Sequence, residues 1–281
     1  MHQVRHDAKL EHNYFLMENL GKMLFEFVQN LVAKGRSSFC FEDVAKLKDS
    51  SPEAIRAALR RLMKKGDIAM PYRGFYVIVP PEYRIAGCLP PEQFIPDLME
   101  HVSEVYYTGL LSAAEYYGAA HQRPQVFQVV VARSRRPIAC GKMRVDFVFR
   151  KNAAIIPKEK INTPAGELQL SSPEATALDL VGYVHHCAGL DNVATVLAEL
   201  AEKIDAEKLR NLADLSPIAW VQRLGYLLEL VDAKDKAQGI AGYVKEKHPV
   251  RAPLVPALAH TGAKMDSRWR VFINTKVEPD L

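Results

Sequence analysis

A two-part α+β protein is predicted by three features of the chain. The first eighty residues run helix, strand, helix, helix, hairpin; a proline-rich stretch gives way to β-branched runs; and helical spacing takes over from Ser171. In residues 13–33, Leu16, Leu20, Leu24, Phe27 and Leu31 recur every three or four positions, as in a long amphipathic helix closed by Gly35. Phe39-Cys40-Phe41 reads as a short strand, Glu42 to Leu47 as a short helix, and Lys48 to Ser51 as the turn after it. Residues 50–65, SSPEAIRAALRRLMKK, form the next helix, with Ser51 as cap, Pro52 at the first position and Gly66 as the stop. Ile55, Ala58, Leu59 and Leu62 share its inward face, which leaves Glu53, Ala57, Arg60 and Lys64 outward and Arg56 and Arg61 on the flanks. Asp67 to Met70 and Phe75 to Val79 make a hairpin around Pro71-Tyr72-Arg73-Gly74. Together these elements are ordered as in a winged helix-turn-helix.

A thin, cationic helix suits a DNA major groove, and a cation at the tip of a wing suits a phosphate or the minor groove. The candidate DNA-binding residues are Ser51, Glu53, Arg56, Ala57, Arg60, Arg61, Lys64, Lys65, Tyr72 and Arg73. The charge distribution agrees: the whole net charge of +4 is carried by residues 1–80, and residues 81–281 are neutral. A second basic segment between residues 123 and 151 offers Arg133, Arg135, Arg136, Lys142 and Arg144 as another positive surface.

Pro80-Pro81, Pro90-Pro91 and Pro96 mark residues 81–95 as a linker between a domain at 1–80 and a larger mixed α/β domain at 96–281. In the latter, Leu98 to Val105 and Thr108 to Tyr117 read as helices. Val126 to Ala132, Met143 to Phe149 and Glu167 to Leu170 read as strands of a small sheet, and a helical half begins at a capping box from Ser171 to Glu174. Helices then continue to about Val231, and the Pro-broken last forty residues close on a strand at 269–273. The composition, 48% hydrophobic and 25% charged, is that of an ordinary soluble chain; no apolar run approaches a membrane span and no signal peptide is evident. Cys40, Cys88, Cys140 and Cys187 are scattered and read as reduced thiols of a cytoplasmic protein.

The sequence from about residue 15 to 273 resembles a known family. The runs YYTGLLSAA (106–114), FQVVV (127–131), GKMRVDF (141–147) and SPEATALDLV (172–181), following the winged-helix start, are similar to those of the AbiEi antitoxins of type IV, AbiE abortive-infection toxin–antitoxin systems. That resemblance implies a phage-defence regulator whose N-terminal domain represses its own promoter through inverted repeats in double-stranded DNA. It also implies a C-terminal domain that counteracts a nucleotidyltransferase-like toxin, and it implies no cofactor.

Two other readings come from the residues. Asp146 and Glu167 lie about twenty residues apart as in metal-dependent nucleases, but Gln169 stands where such enzymes place an assisting lysine. A winged helix can also serve as a protein-docking adaptor. His185-His186 beside Cys187 suggests metal by composition alone, yet neighbouring helical side chains diverge by about 100°. No phosphate-binding loop, dinucleotide fingerprint or HExxH is present. Neither a catalytic residue nor a metal ligand is assigned, and Ser172 and Thr176 read as capping and packing residues.

Overall fold

The computed structural model describes residues 20–46, 51–119, 124–163 and 166–280. The fold is α+β and divides into two compact units. The first draws on the chain up to Glu104 together with Arg136–Val145 and Asn162–Leu168, and the second takes Val105–Arg135, Asp146–Ile161 and Gln169–Leu281.

In the first unit, helix α1 (residues 20–33) turns Leu20, Leu24, Val28 and Leu31 inward; the expected part of this helix from 13 to 19 lies outside the described residues. Strand β1 (Ser38–Cys40) leads into α2 (Phe41–Ala45), and α3 (Pro52–Lys65) follows; of the expected turn at 48–51 only Ser51 is described. Strands β2 (Ile68–Tyr72) and β3 (Phe75–Ile78) form an antiparallel hairpin, and the sheet order is β1-β3-β2. Pro71 and Tyr72 belong to β2 itself, so the turn shrinks to Arg73-Gly74, with Gly74 at φ +79. A proline is tolerated there because β2 is an edge strand of this sheet. Phe39 stacks on Tyr76 at 5.3 Å and meets the edge of Phe27 at 5.5 Å, which fixes α1 across the sheet.

Residues 81–95, expected as a linker, are folded into the same unit. Pro81 and Pro91 open 3₁₀ turns (Pro81–Tyr83 and Pro91–Gln93), and Cys88, Leu89, Phe94 and Ile95 are buried. The prolines here are helix-starting residues, where a missing N–H has no consequence, and do not act as spacers. Helix α4 (Ile95–His101) completes the contiguous part of the unit.

The chain then enters the second unit through β4 (Tyr106–Thr108), α5 (Leu110–Tyr116) and β5 (Phe127–Val131). It returns to the first as β6 (Ile138–Cys140) and the start of β7 (Met143–Phe149), an antiparallel pair with Cys140 opposite Met143. The turn between them requires glycine. Gly141 sits at φ +54, and a Cβ there would lie 2.1 Å from the Ala86 carbonyl oxygen, while the next amide, of Lys142, donates to that same oxygen at 2.7 Å.

Strands β8 (Lys158–Thr163) and β9 (Gly166–Ser171) follow, and the strands entering the second unit run in the order β7-β5-β4-β9-β8. Strand β4, unforeseen because three residues carry no period, is central: it is antiparallel to β5 and parallel to β9 at Thr108 opposite Leu170. The helical half comprises α6 (Pro173–Gly182), α7 (Leu190–Leu200), α8 (Ala206–Ala213), α9 (Ile218–Leu230) and α10 (Lys234–Lys247). A small sheet of β10 (Ala252–Pro253), β11 (Lys264–Asp266) and β12 (Val271–Ile273) closes it in the order β10-β12-β11.

Helix α6 is the centre of this half: every residue from Pro173 to Val181 is buried, as expected of a helix apolar nearly all round. Its polar residues each have a partner. Ser172, and not Ser171, is the cap, accepting the Ala175 N–H at 3.3 Å; Glu174, expected to close a capping box, instead accepts the N–H of Asp205 at 2.9 Å. Thr176 donates to the Ser172 carbonyl at 2.9 Å and lies 2.7 Å from the Ser171 hydroxyl. Asp179 is fully buried, accepts the Tyr107 hydroxyl at 2.7 Å and pairs with the guanidinium of Arg150.

Candidate nucleic-acid interface

The geometry of α3 follows from its sequence. The Ser51 hydroxyl oxygen accepts the Ala54 N–H at 3.2 Å, Pro52 occupies the first turn, and Gly66 ends the helix at φ +76. Ile55, Ala58 and Leu59 are buried and Leu62 is half-buried, so the helix is docked by the narrow stripe that the spacing predicts. Ser51, Glu53, Arg56, Arg60, Arg61, Lys64 and Lys65 are exposed, and Ala57 is half-buried. Arg56 is held in place by Glu53 at 3.7 Å and lies over the Phe41 ring at 5.0 Å, whereas Arg60, Arg61, Lys64 and Lys65 have no ion-pair partner among the described residues. Cations near a helix C-terminus are favoured by its dipole, which accounts for Lys64 and Lys65 without any ligand; it does not account for Arg60 and Arg61. Arg73 is exposed in the hairpin turn and Tyr72 beside it is 39% exposed.

The second basic segment is divided between the units. Arg136, Lys142 and Arg144 belong to the first unit, with the helix and the hairpin, and Arg133 and Arg135 belong to the second. Arg133, Arg136, Lys142 and Arg144 are exposed and Arg135 is half-buried. Arg144 is fixed by two hydrogen bonds of 2.8 Å to the carbonyls of Gly141 and Met143. Sequence alone gave no sign that residues 136–145 would rejoin the N-terminal part, since the contact is made by the backbone around Gly141.

For the alternative chemistry, Asp146 is half-buried with His186 as a neighbour, and Glu167 is exposed. His185 and His186 occupy one 3₁₀ turn with ring centroids 4.2 Å apart, and burial lowers the His186 imidazole, helped by its neighbour. Among the described residues no group of three or more His, Cys, Asp or Glu could hold a metal ion, and the four cysteines are free thiols.

A buried ionic cluster escaped the sequence reading. Arg150, 3% exposed, pairs with Asp179 and donates to Asn152 Oδ1 and Ser216 Oγ, each at 3.1 Å, beneath the Trp220 ring at 5.5 Å. Burial raises the Asp179 carboxyl above the ordinary carboxylate range, against the pull of Arg150, and burial also raises the Tyr107 hydroxyl. No periodic signal links residues 107, 150 and 179, and only the fold brings them together.

Comparison with known proteins bears on both halves. Residues 107–230 match the family model of the AbiEi antitoxin C-terminal domain. The crystal structure of the RV2827C protein from Mycobacterium tuberculosis aligns with a TM-score of 0.61 at 16% identity, covering 87% of this chain and 89% of that one, a likeness of fold alone. No curated protein sequence matches the chain. No helix among the described residues is long and apolar enough to cross a membrane.

Proposed function

We propose, from the premise that residues 107–230 form an AbiEi antitoxin C-terminal domain, that this protein is both the antitoxin and the DNA-binding autorepressor of a toxin–antitoxin system. The match over residues 107–230 supports the antitoxin role. The repressor role is supported by α3, whose apolar stripe docks it while Arg60, Arg61, Lys64 and Lys65 have no ion-pair partner among the described residues, and by Arg73 at the turn of a hairpin arranged as a wing. In this reading residues 1–80 supply a winged helix-turn-helix within the first unit, and the antitoxin role falls to the matched residues 107–230. Helix α3 enters the major groove of inverted repeats in the promoter, and Arg73 and Tyr72 meet the phosphate backbone.

The toxin is of the nucleotidyltransferase type implied by the family, and the system is of type IV, acting in abortive infection in the cytoplasm. The protein is not an enzyme in this reading, in keeping with Gln169 at the place of a nuclease lysine. The test is a mobility-shift titration of the upstream promoter with Arg56→Ala/Arg60→Ala. Both side chains are exposed, and of the two only Arg56 touches an aromatic ring, half-buried Phe41, so the variant should fold while each lost base contact weakens operator binding by roughly 1–3 kcal/mol. Operator affinity equal to that of the parent protein would exclude α3 as the recognition helix.

A further inference from the structure

Outside the residues matched to the antitoxin domain, the end of α10 and the turn between β11 and β12 form a cleft of about 470 Å³. Lys245, His248, Arg268 and Arg270 line it with Gln238 and Ser267, and no carboxylate does. These four donor side chains are held differently. Arg268 is clamped by Glu229 at 2.7 Å and by Gln238 Oε1 at 3.0 Å, and Arg270 donates its Nε to the Pro249 carbonyl at 2.6 Å. Lys245 and His248 are exposed and have no hydrogen-bond or ion-pair partner among the described residues.

The backbone adds a second observation. Non-glycine residues seldom adopt positive φ, and such strain gathers at functional sites; here His248 (φ +43) and Arg270 (φ +55) both do so and both line this cleft. His248 stands at a helix end where glycine would be unstrained. The helix dipole explains cations in the last turn of α10, but it explains neither Arg268 and Arg270, which come from another element, nor the strain.

We propose that this cleft binds the oligophosphate of a nucleoside triphosphate. Guanidinium forks match phosphate oxygens in geometry and charge. The volume falls within the roughly 300–1,000 Å³ of small-ligand sites. Cations that converge on one cleft fit a compact polyanion, whereas a nucleic-acid backbone is tracked by charges spread along a groove.

The test titrates the full-length protein with a fluorescent ATP analogue, with inorganic tripolyphosphate and orthophosphate as competitors. Saturable binding at one site is expected, with tripolyphosphate competing far better than orthophosphate. Lys245→Glu places a negative charge in the cleft and should weaken binding by at least about tenfold. Lys247→Glu changes the same net charge in the same helical turn outside the cleft, and should leave binding unchanged. If Lys245→Glu proves unstable, His248→Asn removes an imidazole N–H donor while keeping a residue that tolerates positive φ, and should also weaken binding. The proposal is overturned by an absence of saturable binding, or by equal losses in the two lysine variants. It is equally overturned if a short single-stranded oligonucleotide binds more tightly than tripolyphosphate and loses that binding in Lys245→Glu, which would make the cleft a nucleic-acid surface. Promoter binding through α3 is a separate measurement, so failure here leaves the repressor reading intact.

Discussion

Replacing Arg150 by methionine should destabilise the second unit severely, and the size of the loss can be worked out from its surroundings. Met fills much of the same space, so the cavity contribution is small. What remains is Asp179, fully buried, with its cation gone and only the Tyr107 hydroxyl at 2.7 Å to stabilise its charge. The Leu215 carbonyl keeps the Asn152 amide at 2.7 Å, so no second unsatisfied group is created there. Removing one member of a buried ion pair costs about 3–5 kcal/mol. For a unit of this size that corresponds to a drop in Tm of roughly 6–20 °C.

Both tryptophans of the chain, Trp220 and Trp269, lie in this unit, so intrinsic fluorescence follows its unfolding selectively. The decisive comparison adds Asp179→Asn, which neutralises the orphaned carboxylate but keeps an acceptor for Tyr107. The double variant should recover at least about 1 kcal/mol relative to Arg150→Met, because replacing both charges avoids the unpaired one. Strictly additive losses from the two changes, or a cost of Arg150→Met below about 1 kcal/mol, would refute the account of the cluster.

Three further outcomes are expected. If about five phosphates are neutralised per protomer, operator affinity should fall with salt at a log–log slope near −4 to −5; an unchanged slope in Arg133→Ala/Arg135→Ala/Arg136→Ala would show that this turn does not touch the operator. Gly141→Ala forces a Cβ to within 2.1 Å of the Ala86 carbonyl at φ +54, so hydrogen exchange should show the Lys142 amide losing its protection. Burial pushes the Tyr183 hydroxyl up to about 12, above the roughly 10 of an unfolded chain, so its contribution to stability is whole below pH 10 and disappears as pH rises through 12; Tyr183→Phe should remove one late step from the tyrosinate absorbance titration.

Long, periodic elements were legible in the sequence. Helix α3 was read with its cap, stop and buried face, and β5 and β7 were read from their β-branched and alternating residues. The elements missed lack such signals. Strands β4 and β6 are three residues each, and α10 carries Gly239 and Gly242 within a polar stretch that masks its period. In 81–95 proline is an ambiguous signal, because the same residue both separates domains and starts 3₁₀ turns. For the candidate interface, residue types and spacing were sufficient on α3, where neighbours in sequence share one face. They were insufficient for Lys142 and Arg144, whose place depends on a long-range backbone contact, and for the cleft beside α10, whose cations come from segments separated by twenty residues or more.

The N-terminal unit is finished late. Its last two segments, Arg136–Val145 and Asn162–Leu168, are synthesised only after the chain has passed through the second unit's first strands. At an elongation rate of ~5–20 residues per second, the 64 residues from 105 to 168 take about 3–13 s to appear. A ribosome that stalls or terminates within that interval releases a chain that holds α3 and the hairpin but not the segments that complete their unit. Translation order therefore ties the completion of the unit that carries α3 to the production of most of the sheet beyond it, so that chains ending within that interval lack the segments that finish that unit.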